Sequence, residues 1–257
     1  MSSPIWTPAA LRSELEALET RAWRLVEAQH RVSTLKLTDN LDDQAALEAI
    51  LDETKPALPS NCAHLDYLLA TPFRYRPYPA GSRFRRAGFT PGVWYGAEQP
   101  ETAAAEMVFY RFLFYAESPD TPFPDDAADY TAFAADIASN SAIDLTKGKL
   151  SADSPTWTHL TDYEHCQSLA DATREAGGQV IRYMSIRDPN QLANLAVLDC
   201  AAFRSSTPVD RQTWRIRISR SGAQAIREYP ALGLEFPPHS FAEDPRLQSM
   251  NWHRPSL

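Results

Sequence analysis

The sequence predicts an α+β protein with a mixed β-sheet core, flanking helices and a helical N-terminal extension. Helical and strand-like segments alternate along the chain without a regular repeat. The last two strand-like segments, 212–219 and 223–228, flank Ser221 and Gly222, which are typical of a tight turn and predict a hairpin. A late hairpin after interleaved helices and strands favours an α+β sheet over a regular doubly wound one.

The N-terminal part, residues 1–68, is predicted to be a helical segment. Thr7 and Pro8 are typical of a helix start, and apolar residues then recur at helical spacing, at Leu11, Leu15, Leu18, Ala22 and Leu25. This pattern predicts one long amphipathic helix that packs on the body of the protein. A second helix is expected over 39–53.

The remaining residues, 69–257, are predicted to form the main domain, and its candidate functional motifs fall within 69–203. Helices are expected over 101–116, which is strongly apolar, and over 163–175. Short strands are expected at 92–96, 142–145, 180–184 and 195–198. The acidic, proline-rich stretch 118–129 is expected to be a surface loop.

The composition argues against several classes of protein. A formal net charge of -8 disfavours non-specific binding to nucleic acid, which depends on a basic surface. No apolar run approaches the roughly 18 residues of a membrane span, and the N-terminus does not resemble a signal peptide, so a cytoplasmic protein is expected. Glycine-rich phosphate loops and the G-x-S-x-G motif of hydrolases are absent from the sequence.

The three cysteines, Cys62, Cys166 and Cys200, are widely spaced and odd in number. Neither a disulfide framework nor a structural zinc site is indicated, and a reducing compartment is expected. Cys200 lies in an apolar run and is expected to be simply buried. His159 and His165 with Cys166 lack a fourth ligand in register, so no metal site is expected.

The densest polar cluster in the sequence consists of arginines interleaved with aromatic residues. It comprises Arg74, Arg76, Arg83, Arg85 and Arg86 with Phe73, Tyr75, Tyr78 and Phe84, and the strand that bears Tyr95 follows. Guanidinium groups bind pyrophosphate through two hydrogen bonds, and aromatic faces accept a stacked base or nicotinamide ring. The cluster as a whole suits a phosphorylated ligand, whereas each arginine taken singly is better explained by a surface ion pair.

Glu106 is an acidic residue among small and apolar side chains in the helix predicted over 101–116. A buried carboxylate is unfavourable unless it is paired, which makes Glu106 a candidate functional residue. The alternative is an ordinary helix glutamate that faces Arg111 or solvent.

Several segments, in this order along the chain, resemble the RES domain family. They are Thr71 to Pro77, Ser82 to Arg85, Gly92 to Glu98, Thr102 to Glu106, Gly178 to Pro189 and Asn194 to Val197. The resemblance implies a fold similar to that of ADP-ribosyltransferases. It also implies a toxin of a bacterial toxin–antitoxin pair that breaks down NAD.

The resemblance assigns catalytic roles to Arg74, Tyr95, Glu106 and Ser185. It assigns substrate binding to Tyr75, Arg83, Arg85 and Asn194. The pyrophosphate would be bound by Arg74 or Arg83, Tyr95 would lie at the nicotinamide or ribose, and Glu106 would be the acid. Whether Arg83 or Arg85 faces the site stays open at this point.

The implied chemistry uses NAD as the substrate, with no resident cofactor or metal and with phosphate as a candidate co-substrate. Cleavage of the nicotinamide–ribose bond passes through an oxocarbenium-like state, which the carboxylate of Glu106 would stabilise. The arginines, Tyr95 and Ser185 would then act mainly by positioning the substrate. Phosphate, water or a protein side chain would accept the ADP-ribose.

The resemblance further implies a cognate Xre-like DNA-binding antitoxin and a homo-oligomer or a toxin–antitoxin hetero-oligomer. Direct contact with nucleic acid or a membrane is not expected. An ADP-ribosyltransferase that modifies a specific protein would share the same site. A non-catalytic nucleotide-binding module would keep the arginines without needing Glu106, and a nuclease is disfavoured by the acidic charge and the lack of an acidic metal-binding cluster.

Overall fold

A computed structural model describes residues 6–28, 37–74, 81–88 and 91–254. The strands are β1 (Glu16–Glu27), β2 (Trp94–Ala97), β3 (Ala128–Asp144), β4 (Val180–Met184), β5 (Ala193–Val197), β6 (Asp210–Ser219), β7 (Gly222–Arg227) and β8 (Leu232–Phe236). The α-helices are α1 (Pro8–Arg12), α2 (Leu41–Glu53), α3 (Tyr67–Arg74), α4 (Pro100–Glu117), α5 (Ser154–Trp157) and α6 (Glu164–Glu175). Among these helices, none is long and apolar enough to cross a membrane.

The strands form one mixed sheet in the order β1-β2-β5-β4-β3-β6-β7-β8, and β1 also pairs with β3. That additional pairing closes the first five strands into a small ring, from which β6, β7 and β8 extend. The closure is possible because β3 is 17 residues long and pairs with β1, β4 and β6 at once. Only the pairing of β3 with β4 is parallel among the described strands. The α+β class with a mixed sheet is therefore confirmed.

The prediction of one long N-terminal helix from the leucine spacing is wrong. Helix α1 ends at Arg12, and β1 follows it and runs antiparallel to β3. Leu18 and Ala22 belong to one apolar cluster, whereas Trp23 and Leu25 belong to another. A strand that is covered on both faces loses the alternation of polar and apolar residues by which a strand is recognised, and here its apolar spacing imitates a helix.

Residues 1–68 therefore do not form a purely helical extension. Strand β1 lies in the same sheet as the strands of residues 69–257. The second predicted helix is confirmed as α2, which begins after Asn40 because the side chain of Asn40 accepts a hydrogen bond from the backbone N–H of Asp43. The division of the chain at residue 69 stays a prediction.

Most of the other predicted elements are present. Helices α4 and α6, the strands β2, β4 and β5, and the hairpin of β6 and β7 lie within a few residues of their expected positions. The sequence patterns missed α3, α5, β8 and most of β3, of which only 142–145 was expected. Alanine is frequent in β3 but uncommon in strands, so the strand propensity of these residues did not predict β3. Pairing with β1, β4 and β6 holds this segment as a strand.

Helix α4 is held against the sheet by apolar packing. It contacts β1 and β2, and its residues Ala103, Val108 and Phe112 are buried in one cluster with Trp23 and Trp214. Each large apolar side chain that becomes fully buried contributes about 1.5 to 3 kcal/mol. This packing holds α4, and with it Glu106, over the strands of the closed ring.

Cys62 and Cys200 form a disulfide, contrary to the expectation of unpaired cysteines. Their Cα atoms are 5.3 Å apart and 138 residues separate them in the sequence. That Cα distance is normal for a disulfide, and the third cysteine, Cys166, is free and buried. The expectation of a reducing compartment rested on the absence of pairing, and disulfides are rare in such compartments. The cytoplasmic location stays a prediction.

Candidate functional site

A cavity of about 270 Å³ lies between α4 and the strands of the closed ring. Its charged lining consists of one carboxylate, Glu106, and three arginines, Arg24, Arg83 and Arg187. Its aromatic lining is dominated by tyrosines: Tyr95, Tyr110, Tyr163 and Tyr183. Asn194 and Ser82 add polar groups to the wall. A concave site with a few converging polar groups among aromatic rings is typical of a small-molecule site.

Glu106 lies on the side of α4 that faces the cavity. Its Oε1 accepts hydrogen bonds from Ser185 Oγ and Asn194 Nδ2, each at 2.7 Å. No hydrogen bond from a described residue reaches Oε2. Arg111, the alternative partner expected from the sequence, instead pairs with Glu27. One oxygen of Glu106 is thus held by the protein, and the other is left for a ligand.

The two groups that hold Glu106 come from adjacent strands. Ser185 directly follows β4 and is fully buried, and its Oγ also accepts hydrogen bonds from the backbone N–H groups of Arg187 (3.3 Å) and Asp188 (3.1 Å). Asn194 lies in β5, is 3% exposed and pairs in register with Tyr183 of β4. Because both side chains are buried, one on a strand and one directly after a strand, they fix the Glu106 carboxylate in one position.

Asp188 lies in a turn after β4, and this turn is tied to α4. Asp188 Oδ1 accepts a hydrogen bond from the backbone N–H of Asn190 at 2.9 Å. Its Oδ2 accepts one from Thr102 Oγ1 at 2.6 Å. This turn therefore links the segment after β4 to the beginning of α4, four residues before Glu106.

Of the two arginines that the sequence left open, Arg83 lines the cavity and Arg85 does not. Ser82 and Arg85 bond to each other through their backbones and make a tight turn. The buried Arg83 side chain donates to the Trp157 carbonyl at 2.6 Å and lies 4.6 Å from the centre of the Tyr163 ring. No described carboxylate forms an ion pair with Arg83.

Tyr95 is on β2, and its hydroxyl is held by the turn that carries Arg83. The hydroxyl is 2.8 Å from Ser82 Oγ and accepts a hydrogen bond from the backbone N–H of Phe84 at 3.1 Å. Burial raises the pKa of Tyr95 above its usual value, against the opposing effect of these hydrogen bonds. Tyr95 is therefore a neutral aromatic ring in the cavity wall.

Arg74 does not reach this cavity. It is the last residue of α3, and its Nε donates to the Pro56 carbonyl at 2.6 Å while its Nη1 lies 3.5 Å from Asp52 Oδ1. Phe73, its neighbour in α3, is buried in an apolar cluster, whereas the Arg74 side chain reaches Asp52 of α2. Tyr75, with Arg76 and Tyr78, lies outside the described residues.

The sequence interpretation assigned no role to Arg24, which lies in the segment that it predicted to be a long helix. Arg24 lies on β1, and its Nη1 donates to the Tyr95 carbonyl at 2.9 Å. Desolvation lowers the pKa of Arg24 to about 10, so it is still protonated at neutral pH. No ion pair joins it to a carboxylate of the described chain. Its neighbours Trp23 and Leu25 gave no signal of this role, because a charged residue between two apolar ones is an ordinary pattern in a strand.

Arg187 is a second cavity residue to which no role had been assigned. It is 5% exposed, pairs with Asp244 at 2.8 Å, and its guanidinium lies 3.7 Å from the centre of the Phe109 ring. Loss of solvent lowers the pKa of Arg187, and the charge of Asp244 opposes this effect.

The cavity is therefore locally basic within an acidic chain. Three arginines face one carboxylate in the lining, while the whole chain has a formal net charge of -8. Such a field concentrates an anionic ligand, and the tyrosines offer ring surfaces for a planar group. Across the ranges that the structure describes, no group of three or more His, Cys, Asp or Glu residues is arranged to hold a metal ion.

One comparison with known proteins, a match to a family model, agrees with the resemblance noted in the sequence. No sequence among the curated proteins matches this chain. A chain in the crystal structure of the M. tuberculosis MbcT–MbcA toxin–antitoxin complex is similar over 80% of this chain and 92% of that chain, with 13% identity and a TM-score of 0.46. The sequence model of the RES domain matches residues 58–219 of the 257. Since this match spans more than half of its length, the chain belongs to the RES domain family.

Proposed function

We propose that this protein breaks down NAD by cleaving the bond between nicotinamide and ribose. The observation that carries the proposal is the Glu106 carboxylate, held on one oxygen by Ser185 and Asn194 in a cavity whose other charged lining groups are arginines. Membership of the RES family supports it, because the resemblance to that family implies breakdown of NAD.

Arg24 and Arg83 are the residues that would bind the pyrophosphate of NAD. Both line the cavity, and in the described part of the chain neither is neutralised by a carboxylate. An arginine whose charge is unpaired and half-buried or buried gains more from an oxyanion than a solvated one does, because water screens the attraction less. Tyr95 and the other tyrosines supply ring surfaces against which the nicotinamide can pack.

The bond cleavage needs stabilisation of positive charge on the ribose. As the C1′–N bond breaks, its electron pair neutralises the pyridinium ring, which leaves as nicotinamide, and the ribose becomes oxocarbenium-like. The free Oε2 of Glu106 would bind the ribose hydroxyls and stabilise that charge as it develops. An oxygen of water or phosphate then forms the new bond to C1′, and water releases its proton to the solvent.

The acceptor distinguishes three activities that the same site supports. Water makes the protein an NAD glycohydrolase, phosphate makes it an NAD phosphorylase, and a protein side chain makes it an ADP-ribosyltransferase. In the cell, we propose a cytoplasmic toxin whose target is NAD and which a cognate Xre-like antitoxin neutralises. Expression in bacteria should then deplete NAD and stop growth, and co-expression of the antitoxin should restore both.

The decisive experiment incubates purified protein with NAD, with and without phosphate, and identifies the products by liquid chromatography and mass spectrometry. We expect nicotinamide together with ADP-ribose or its phosphorylated form. Arg83→Ala and Arg74→Ala are a matched pair, since Arg83 lines the cavity and Arg74 does not. Arg83→Ala should lose most activity and Arg74→Ala little. Absence of nicotinamide release, or equal loss in both variants, would contradict the proposal.

A further inference from the structure

Asp244 in the segment after β8 contacts the cavity residue Arg187, although this segment lies beyond the part of the chain that matches the RES domain. The match ends at residue 219, whereas Asp244 and Arg246 lie in the C-terminal segment. Asp244 is 1% exposed, which is unusual for a carboxylate and requires strong partners.

The partners of Asp244 are two arginines with different surroundings. Its Oδ2 lies 2.8 Å from Nη2 of Arg187 and 2.8 Å from Nη2 of Arg246. Its Oδ1 accepts a further hydrogen bond from Nε of Arg246 at 3.0 Å. The Leu160 carbonyl accepts from both arginines, at 3.3 Å from Arg187 and 3.1 Å from Arg246. Only Arg187 of this pair lines the cavity.

These contacts hold Arg187 by one edge of its guanidinium and leave the other edge available. Its polar contacts with described residues all use Nη2, and none of these residues accepts a hydrogen bond from Nε or Nη1. The flat face of the group rests on Phe109 at 3.7 Å. Because one carboxylate is shared between two arginines, a net positive charge remains beside the cavity.

We propose that Arg187 binds an oxyanion group of the ligand and that Asp244 positions Arg187 for this role. A fixed guanidinium loses little side-chain freedom when the anion binds, so holding Arg187 in place strengthens binding. The identity of the ligand rests on the proposed function: the oxyanion is either the pyrophosphate of NAD or a free phosphate that acts as acceptor. In both cases the C-terminal segment completes the site.

The test measures binding of inorganic pyrophosphate, inorganic phosphate and NAD to the full chain by isothermal titration calorimetry. Arg187→Gln should weaken the binding of phosphate, or of pyrophosphate and NAD, about 10- to 100-fold, the range for loss of a charged hydrogen bond. Asp244→Asn should weaken it in the parental chain but cause no further loss in the Arg187→Gln background, because Asp244 acts through Arg187. A loss confined to phosphate assigns Arg187 to the acceptor, and a loss for pyrophosphate and NAD assigns it to the dinucleotide.

Arg227→Gln is the matched control. Arg227 also pairs with a carboxylate, Glu101 at 3.0 Å, and lies over an aromatic ring, but it does not line the cavity. Its substitution should leave anion binding unchanged. Near-UV circular dichroism establishes that each variant is folded, and if Asp244→Asn is not, Asp244→Glu replaces it in the same comparison.

Three results would overturn the inference. They are no binding of any of the three anions to the parental chain, parental affinity in Arg187→Gln, and an equal loss from the Asp244 substitution in both backgrounds. Failure of the proposed function is distinguishable from these. If pyrophosphate binds through Arg187 but NAD is not consumed, the inference stands and the proposed reaction does not. If NAD is consumed but Arg187→Gln binds the anions as tightly as the parent does, the proposed reaction stands and the inference does not.

Discussion

The Glu106→Gln substitution tests the mechanism most directly, because it removes one charge and little else. Oε1 of Glu106 accepts two hydrogen bonds of 2.7 Å, from Ser185 and Asn194. The amide oxygen of glutamine can accept both, so the side chain should keep its position. What is lost is the negative charge beside the ribose, and such electrostatic stabilisers contribute about 2.7 to 4 kcal/mol to the transition state. We therefore expect kcat to fall about 100- to 1000-fold.

The assay combines turnover, binding and folding measurements on the same variant. Nicotinamide release gives kcat and KM, calorimetry gives the affinity for NAD, and thermal unfolding reports the fold. KM should change little, because the charge acts as the bond breaks rather than when NAD binds. The control is Glu101→Gln, which removes a carboxylate from the first turn of the same helix outside the cavity lining. A folded Glu106→Gln protein that binds NAD and turns it over at the parental rate would refute the role assigned to this residue.

Three further predictions concern the strand β1 and the disulfide. Because the pKa of Arg24 is lowered to about 10, its charge is present below that pH and is lost as the pH rises through it. The affinity for pyrophosphate should therefore fall above pH 10 in the parent and not in Arg24→Gln. Calorimetry from pH 7 to about 10.5 measures this affinity, and an unchanged affinity in the parent would contradict the prediction. Thiol titration of oxidised, denatured protein should find only Cys166, and a count of three thiols would contradict the pairing. Under oxidising conditions, Cys62→Ser should lower the free energy of unfolding by about 2 to 5 kcal/mol. A chain that begins at Leu69 lacks β1, the antiparallel partner of β3, and should show no cooperative unfolding; a native-like thermal transition would contradict the central place of β1 in the sheet.

The resemblance to the RES domain family, read from the sequence, identified most of the candidate site. Five of the eight residues assigned from the sequence line the cavity or hold a group that does: Arg83, Tyr95, Glu106, Ser185 and Asn194. All of them except Arg83 lie in or next to a strand or a helix that the sequence also indicated. Tyr75 lies outside the described residues. Arg74 and Arg85 do not line the cavity, although they are close to Arg83 in the sequence, because the direction of each side chain depends on the element that carries it.

The sequence by itself determined the elements whose signals are local. The apolar helix α4, the capped helix α2 and the hairpin of β6 and β7 follow from caps, turn residues and periodicity, all of which act over a few residues. The tertiary structure alone decided that β1 is a strand, since its apolar residues match a helix until two separate cores cover its two faces.

The tertiary structure also decided the contacts at the cavity and elsewhere that join residues far apart in the chain. Arg24 meets Tyr95 across 71 residues, and Cys62 meets Cys200 across 138. Asp244 reaches Arg187 only after the chain has passed through β6, β7 and β8. A pattern read along the sequence contains the chemistry of these side chains but not their partners, because strand pairing and the closure of the ring bring the partners together.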